Sequence, residues 1–140
     1  SMDWDVGLRR YLIRINSGNS GPSCVVAAPV PGSADYDSLA QVPEGLSYQN
    51  DVYFDESCQL IPDNSGLGSA ATAICEYWKY TGCVKVTGKV YVLQLASGRR
   101  LKLTVTHYYN PPAQEQCQKE DKVPQQGSGA ANFQVRWAWL

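Results

Sequence analysis

One histidine, one methionine and two phenylalanines are all that 140 residues supply of those types, and each scarcity removes a class of chemistry. A single imidazole, His107, cannot build a multi-histidine metal centre, and none of the five cysteines forms a C-x-x-C pair, so a structural zinc site lacks support. A charge surplus is also missing. Twelve basic against thirteen acidic residues leave a net charge of −1, with no basic stripe to meet nucleic acid. No apolar run approaches the roughly 18 residues of a membrane-spanning helix, and no charged-then-apolar leader opens the chain. Nucleophilic catalysis is poorly served: Gly18-Asn-Ser-Gly-Pro22 carries proline where a nucleophile elbow needs its last glycine, and His107 is the one imidazole that could act as base. No glycine-rich loop leads from a strand into a helix to cradle a phosphate. Asp35, Asp37, Asp51, Asp55 and Glu56 match no EF-hand spacing and read as solvated loop carboxylates. A binding protein is therefore expected, not an enzyme.

What is present is strand pattern. Two alternating runs, Val90–Leu95 and Arg100–Tyr109, flank Ala-Ser-Gly-Arg, a hairpin whose turn centres on Ser97 and Gly98. Near the start, Trp4, Val6 and Leu8 share one face while Tyr11, Ile13 and Ile15 share the other; a β-bulge at Arg9 and Arg10 would restore both sets to the core side. The segment Asn16-Ser-Gly-Asn-Ser-Gly-Pro22 reads as a structured turn. Residues 30–70 are rich in Pro, Gly, Ser and Asp and read as long connections, with Tyr48–Phe54 strand-like. Gly66–Ile74 is open between helical turn and strand, and Glu76–Tyr80 alternates as a strand does. Asn110–Ala130, opening on two prolines, is expected to be a long loop. Phe133, Val135, Trp137 and Trp139 form an aromatic row that should pack into the core. The sum is an all-β, antiparallel domain over residues 3–140, with long loops and little helix, after a Ser1-Met2 expression-tag scar.

The cysteines read as disulfide formers. Cys75 and Cys83 could close a short loop, and Cys58 and Cys117 could restrain two long excursions, although connectivity cannot be read from spacing. Cys24, inside the apolar run Cys24–Ala28, is the expected unpaired cysteine, a small buried hydrophobe.

His107 alternates with Leu101, Leu103 and Val105, which places it on the core face or its margin, whereas Tyr108 alternates with Lys102, Thr104 and Thr106. Three stretches then resemble the HmuY family of extracytoplasmic bacterial proteins. They are Trp4-Asp-Val-Gly-Leu-Arg9 with the Asn16–Pro22 turn, the hairpin ending in Leu101-Lys-Leu and Tyr108-Tyr-Asn110, and the closing Phe133-Gln-Val-Arg-Trp-Ala138. The resemblance implies an all-β fold, a secreted or outer-membrane-surface location with a lipid anchor on a mature N-terminus, and haem capture. It also implies paired iron ligands, two histidines or methionine, which His107 and Met2 do not reproduce. Ligation through His107, or through Tyr108 or Tyr109, is the remaining iron chemistry, because both residue types serve haem iron.

The expectation is thus an extracytoplasmic, non-catalytic HmuY-type protein that takes haem or another small ligand at His107, Tyr108 and Tyr109. The competing expectation is a structural or protein-interaction lipoprotein domain that keeps the fold, meets envelope proteins and does not coordinate haem iron.

Overall fold

A computed structural model describes all 140 residues. Eight strands and one helix follow in the order β1 (Val6–Arg9), β2 (Leu12–Ile15), β3 (Val26–Pro29), β4 (Trp78–Tyr80), β5 (Val84–Val86), β6 (Val90–Gln94), β7 (Arg100–His107), α1 (Pro111–Glu120) and β8 (Gln134–Trp139). The fold is mostly β, with every strand pair antiparallel, as the alternation predicts. A four-stranded sheet in the order β3-β6-β7-β8 carries two small hairpins, β1-β2 and β4-β5.

The central hairpin forms as expected. Gly98 takes φ +82° and donates its N–H to Leu95, closing the turn between β6 and β7. The phase change near the N-terminus has a different cause from the expected bulge. Arg9 pairs with Leu12, so Arg10 and Tyr11 are a two-residue turn, with Arg10 at φ +52°. Antiparallel return explains the swapped parity. Val6 faces Ile15 and Leu8 faces Ile13, which puts all four side chains on one side of the hairpin.

One core lies between the sheet and the two hairpins. Ile13, Ile15, Ile74, Tyr77, Trp78, Tyr91 and Leu93 are all essentially inaccessible there. On the other face of the sheet Val30, Val90 and Val92 form a smaller cluster under the 30–48 connection, through Tyr36, Leu39 and Tyr48. Tyr48–Phe54 does not pair as a strand; it makes isolated bridges, Gln49 to Ala27 and Phe54 to Leu60. Within it, Asp51 overturns the reading of a solvated carboxylate. It is fully buried, and it accepts N–H bonds from Ile15 (3.0 Å) and Ala73 (2.8 Å) and an O–H bond from Ser20. The Asn16–Pro22 turn wraps that carboxylate. Gly18 sits at φ +55° with its hydrogen against the Asp51 carbonyl, where a Cβ would lie 2.1 Å from the oxygen.

The expected loop after the double proline begins with a helix. Asn110 caps α1 by accepting from the Ala113 N–H at 3.0 Å, and prolines at the first two helical positions surrender N–H groups that no helix could pair. The disulfide also differs from expectation. Cys83 joins Cys117, one cysteine from each expected pair, and so ties α1 to the turn just before β5 across 34 residues. Cys75 and Cys58 are free. Cys24 is free but exposed rather than buried, because β3 starts after it and turns its neighbour Val25 inward.

Candidate functional site

Two concavities bear on function, and they differ in chemistry. The first is built where β1 lies across β7 and β8. β1 contributes Val6 and Leu8, β7 contributes Leu101 and Leu103, and β8 contributes Val135, Trp137 and Trp139, with Ile13 and Leu93 at the floor. All nine lining residues are hydrophobic, around a groove of about 310 Å³. The aromatic row is thus not packed away as expected. Val135, Trp137 and Trp139 are 41%, 53% and 44% exposed, because β8 is an edge strand of its sheet and the β1 side chains Val6 and Leu8 stand across the groove from them without closing it. Trp137 and Trp139 meet edge to face at 5.5 Å, and the Arg99 guanidinium stacks 3.5 Å above the Trp139 ring. An apolar slot with a fixed cation at its rim suits a flat, apolar molecule that bears an anionic group.

The second concavity holds His107. A bulge falls between Val105, which pairs with Val135, and His107, which pairs with Gln134. Thr106 is the extra residue, and it inverts the alternation beyond it. His107 therefore leaves the Leu101–Val105 face; its Nδ1 lies 2.9 Å from Thr106 Oγ1, in a depression of about 470 Å³ with Pro111, Pro112, Gln114, Glu115 and Gln118. Tyr108 and Tyr109 move the other way, into the core, where Tyr108 meets Tyr109 and Phe133 edge to face at 4.9 and 5.4 Å. The Tyr109 hydroxyl accepts the Val84 N–H at 2.9 Å, and burial raises the pKa of both phenols. Gln114 accounts for this placement: its Oε1 accepts the N–H groups of both Tyr108 (2.8 Å) and Tyr109 (3.1 Å) while its Nε2 donates to Val84 O. His107, Tyr108 and Tyr109 are thus adjacent in sequence but do not converge on one space.

Haem can be tested against these surfaces directly. The groove offers a porphyrin ring apolar contact and an arginine for a carboxylate, but no His, Met, Cys or Tyr to reach the iron. The depression offers an imidazole beside two prolines and polar side chains, with no large aliphatic or aromatic residue to meet a porphyrin ring. Ring and iron find their partners in different places.

Fold and site together define an antiparallel β-protein with an apolar, ligand-sized groove on one sheet face. The chain belongs to the HmuY family: the family model, described as HmuY protein, matches residues 1–120. Solved structures agree in fold. A HmuY-like protein from Bacteroides vulgatus ATCC 8482, described as a candidate haem binder, superposes with a TM-score of 0.54 at 15% identity, covering 96% of this chain and 69% of that one. The apo HmuY analogue of Tannerella forsythia gives 0.55 at 15% identity, covering 98% and 67%. A search of curated proteins finds no match.

Proposed function

We propose that this chain is a non-catalytic ligand-binding protein acting outside the cytoplasm, and that its apolar groove holds a flat, largely apolar ligand, with haem the first named candidate. The groove carries this reading: apolar side chains of β1, β7 and β8 line an open space above Ile13 and Leu93, beside an arginine stacked on a tryptophan. Water-exposed apolar surface of that kind is usually retained for a partner. The HmuY family membership and the haem-binding description of the Bacteroides vulgatus relative support haem as the ligand. Because the groove contains no iron ligand, a bound porphyrin would be held by its ring against the apolar side chains and by a carboxylate at Arg99. His107 then contributes nothing to affinity. The Cys83–Cys117 bridge supports an oxidising compartment.

A haemin titration followed in the Soret region tests this. Saturable binding is expected to weaken at least tenfold in Leu8→Asp, at an exposed groove position, and to be unchanged in His107→Ala. Loss of binding in His107→Ala with Leu8→Asp unaffected would move the site to the polar depression. No binding by the intact fold would favour the second reading, an interaction domain that presents the same exposed tryptophans to an envelope protein.

A further inference from the structure

A third hollow, of about 790 Å³, is larger than the groove and the His107 depression and shares no residue with either; it lies among the 61–64 segment, β4 and the Thr87–Val90 turn. Its lining is mixed where that of the groove is apolar: six of its sixteen residues are hydrophobic. Four are charged, Asp63 and Glu76 against Lys79 and Lys89, so the wall is neutral in sum. Glu76 meets Lys89 at 3.7 Å, while Lys79 has no acidic partner. Asp63 stands out, because it is 6% exposed and only half satisfied. Its N–H donates to Ser69 O at 2.8 Å and its Oδ1 accepts the Ser65 N–H at 3.0 Å, but no group of the chain donates to Oδ2. Next to it Cys75 also lines the hollow; burial, with Asp63 and Glu76 nearby, pushes that thiol up to about 11, so it stands there as a neutral S–H. On the far side of Cys75 the fully buried Tyr91 hydroxyl has no partner either. Folded chains leave few buried polar groups unpaired, and here two of them flank one cysteine in the wall of one hollow.

We propose that this hollow binds a neutral, hydroxyl-rich molecule, a short saccharide, with Asp63 Oδ2 accepting a hydrogen bond from one of its hydroxyls. A hydroxyl donates and accepts at once, and the wall asks for both: Asp63 Oδ2 needs a donor, Lys79 offers N–H groups, and the Asn64 amide does either. The balance of charge selects against ions. An ammonium drawn to Asp63 would meet Lys79 and Lys89, and an anion drawn to the lysines would meet Asp63 and Glu76. Nor do carboxylates, thiols and imidazole gather in threes anywhere in the chain, as a metal ion would require. Ile61, Pro62 and Trp78 supply the apolar part of the lining, which suits the C–H faces of sugar rings. Asp63 is held in place before any ligand arrives, because its backbone and Oδ1 are already bonded; an acceptor fixed in this way discriminates strongly against a ligand that lacks the matching hydroxyl. The saccharide site is separate from the groove and does not depend on haem.

The test is an amide chemical-shift titration of the whole chain, without haemin, with maltotriose, cellotriose, mannotriose and chitotriose, each carried into the millimolar range where weak binding still registers. At least one of them is expected to give saturable shifts at Asn64, Glu76 and Lys79. Asp63→Asn keeps the Oδ1 acceptor for Ser65 and puts an N–H donor where Oδ2 was, so it is expected to weaken that binding at least tenfold. Asn64→Gly removes the amide at a position of φ +56°, which glycine adopts freely, and should weaken binding with the fold intact even where Asp63→Asn does not fold. Leu8→Asp, in the groove, should leave saccharide binding unchanged. The proposal is overturned if none of the four sugars shifts these amides, if the shifts map to β1 and β8 instead, or if both hollow variants bind as the wild type does. Saturation at the same amides by spermidine or by trigalacturonate, with the neutral sugars silent, would overturn it as well and assign the hollow to an ionic ligand.

Discussion

The two faces of the four-stranded sheet are closed by different means, and function follows the difference. On the Val90/Val92 face the 30–48 connection is fastened by polar groups. Lys102, nearly buried in mid-strand, donates to the carbonyls of Tyr36 (2.6 Å) and Leu39 (2.8 Å), and both Lys102 and Arg136 lie 4.3 Å from the Tyr36 ring. On the opposite face, packing is apolar and incomplete. Leu93 of β6, at the floor of the groove, is fully buried, yet Trp137 at its wall is more than half exposed. A face closed by directional bonds holds a single arrangement, whereas a face left partly open retains surface that something else can cover.

The largest effect should come from crossing the boundary between core and groove. Leu93→Ala is expected to destabilise the fold by about 2–5 kcal/mol, because the surrounding side chains cannot all collapse into the space it vacates. Trp137→Ala, although it removes a larger side chain, should cost less, about 1 kcal/mol from the lost edge-to-face pair with Trp139, since half of that ring already meets water. Urea unfolding of the dilute protein measures both. Equal losses would mean that the groove is part of the core, and the functional reading of the open face would fall with it.

A smaller effect is expected on the fastened face. Lys102→Met keeps the apolar stem but removes two charge-assisted bonds to carbonyls, and should lose about 1.5–3 kcal/mol. Hydrogen exchange should report where the loss falls: faster exchange in residues 30–48, with the β1-β2 hairpin unchanged. A variant of full stability would show that apolar contacts from Tyr36 and Leu39 hold this connection by themselves.

Sequence made the central hairpin, the strands around Trp78 and Val84, and the antiparallel class legible, since each rests on local alternation and a glycine turn. What it hid depended on single residues whose effects are not local. Thr106 carries no mark of a bulge, yet its insertion exchanges the faces of His107 and Tyr108 and so dissolves the expected three-residue site. Arg10 in a left-handed turn looked like one residue too many in a strand. Asn110 followed by two prolines was readable as a helix start, and the weak apolar pattern of α1 concealed it, because that helix faces β5 with glutamines rather than leucines. Whether Val135, Trp137 and Trp139 are covered depends on what lies across β8, which no periodicity records. The family resemblance was legible because it rests on short ordered motifs at both ends of the chain, and the family model matches residues 1–120.

The smallest effect sharpens the comparison at the place where the fastened face meets β8. Arg136 donates two bonds to Asp37, and that guanidinium holds the Asp37 carboxyl below its ordinary value of 3.8. A carboxyl whose pKa is lower in the folded chain contributes stability above the unfolded value and loses it as pH falls through the folded one. The clasp is therefore expected to be intact above about pH 4 and to release in more acidic solution, which loosens the Asp37 turn while the apolar groove stays as it is. Carboxyl-carbon NMR titration of Asp37 checks this. The midpoint should rise toward the ordinary value in Arg136→Gln, with little change in global stability because both partners are exposed. An Asp37 titration that is the same in the two proteins would mean that the clasp does not persist in solution, and Lys102 alone would then distinguish the fastened face from the open one.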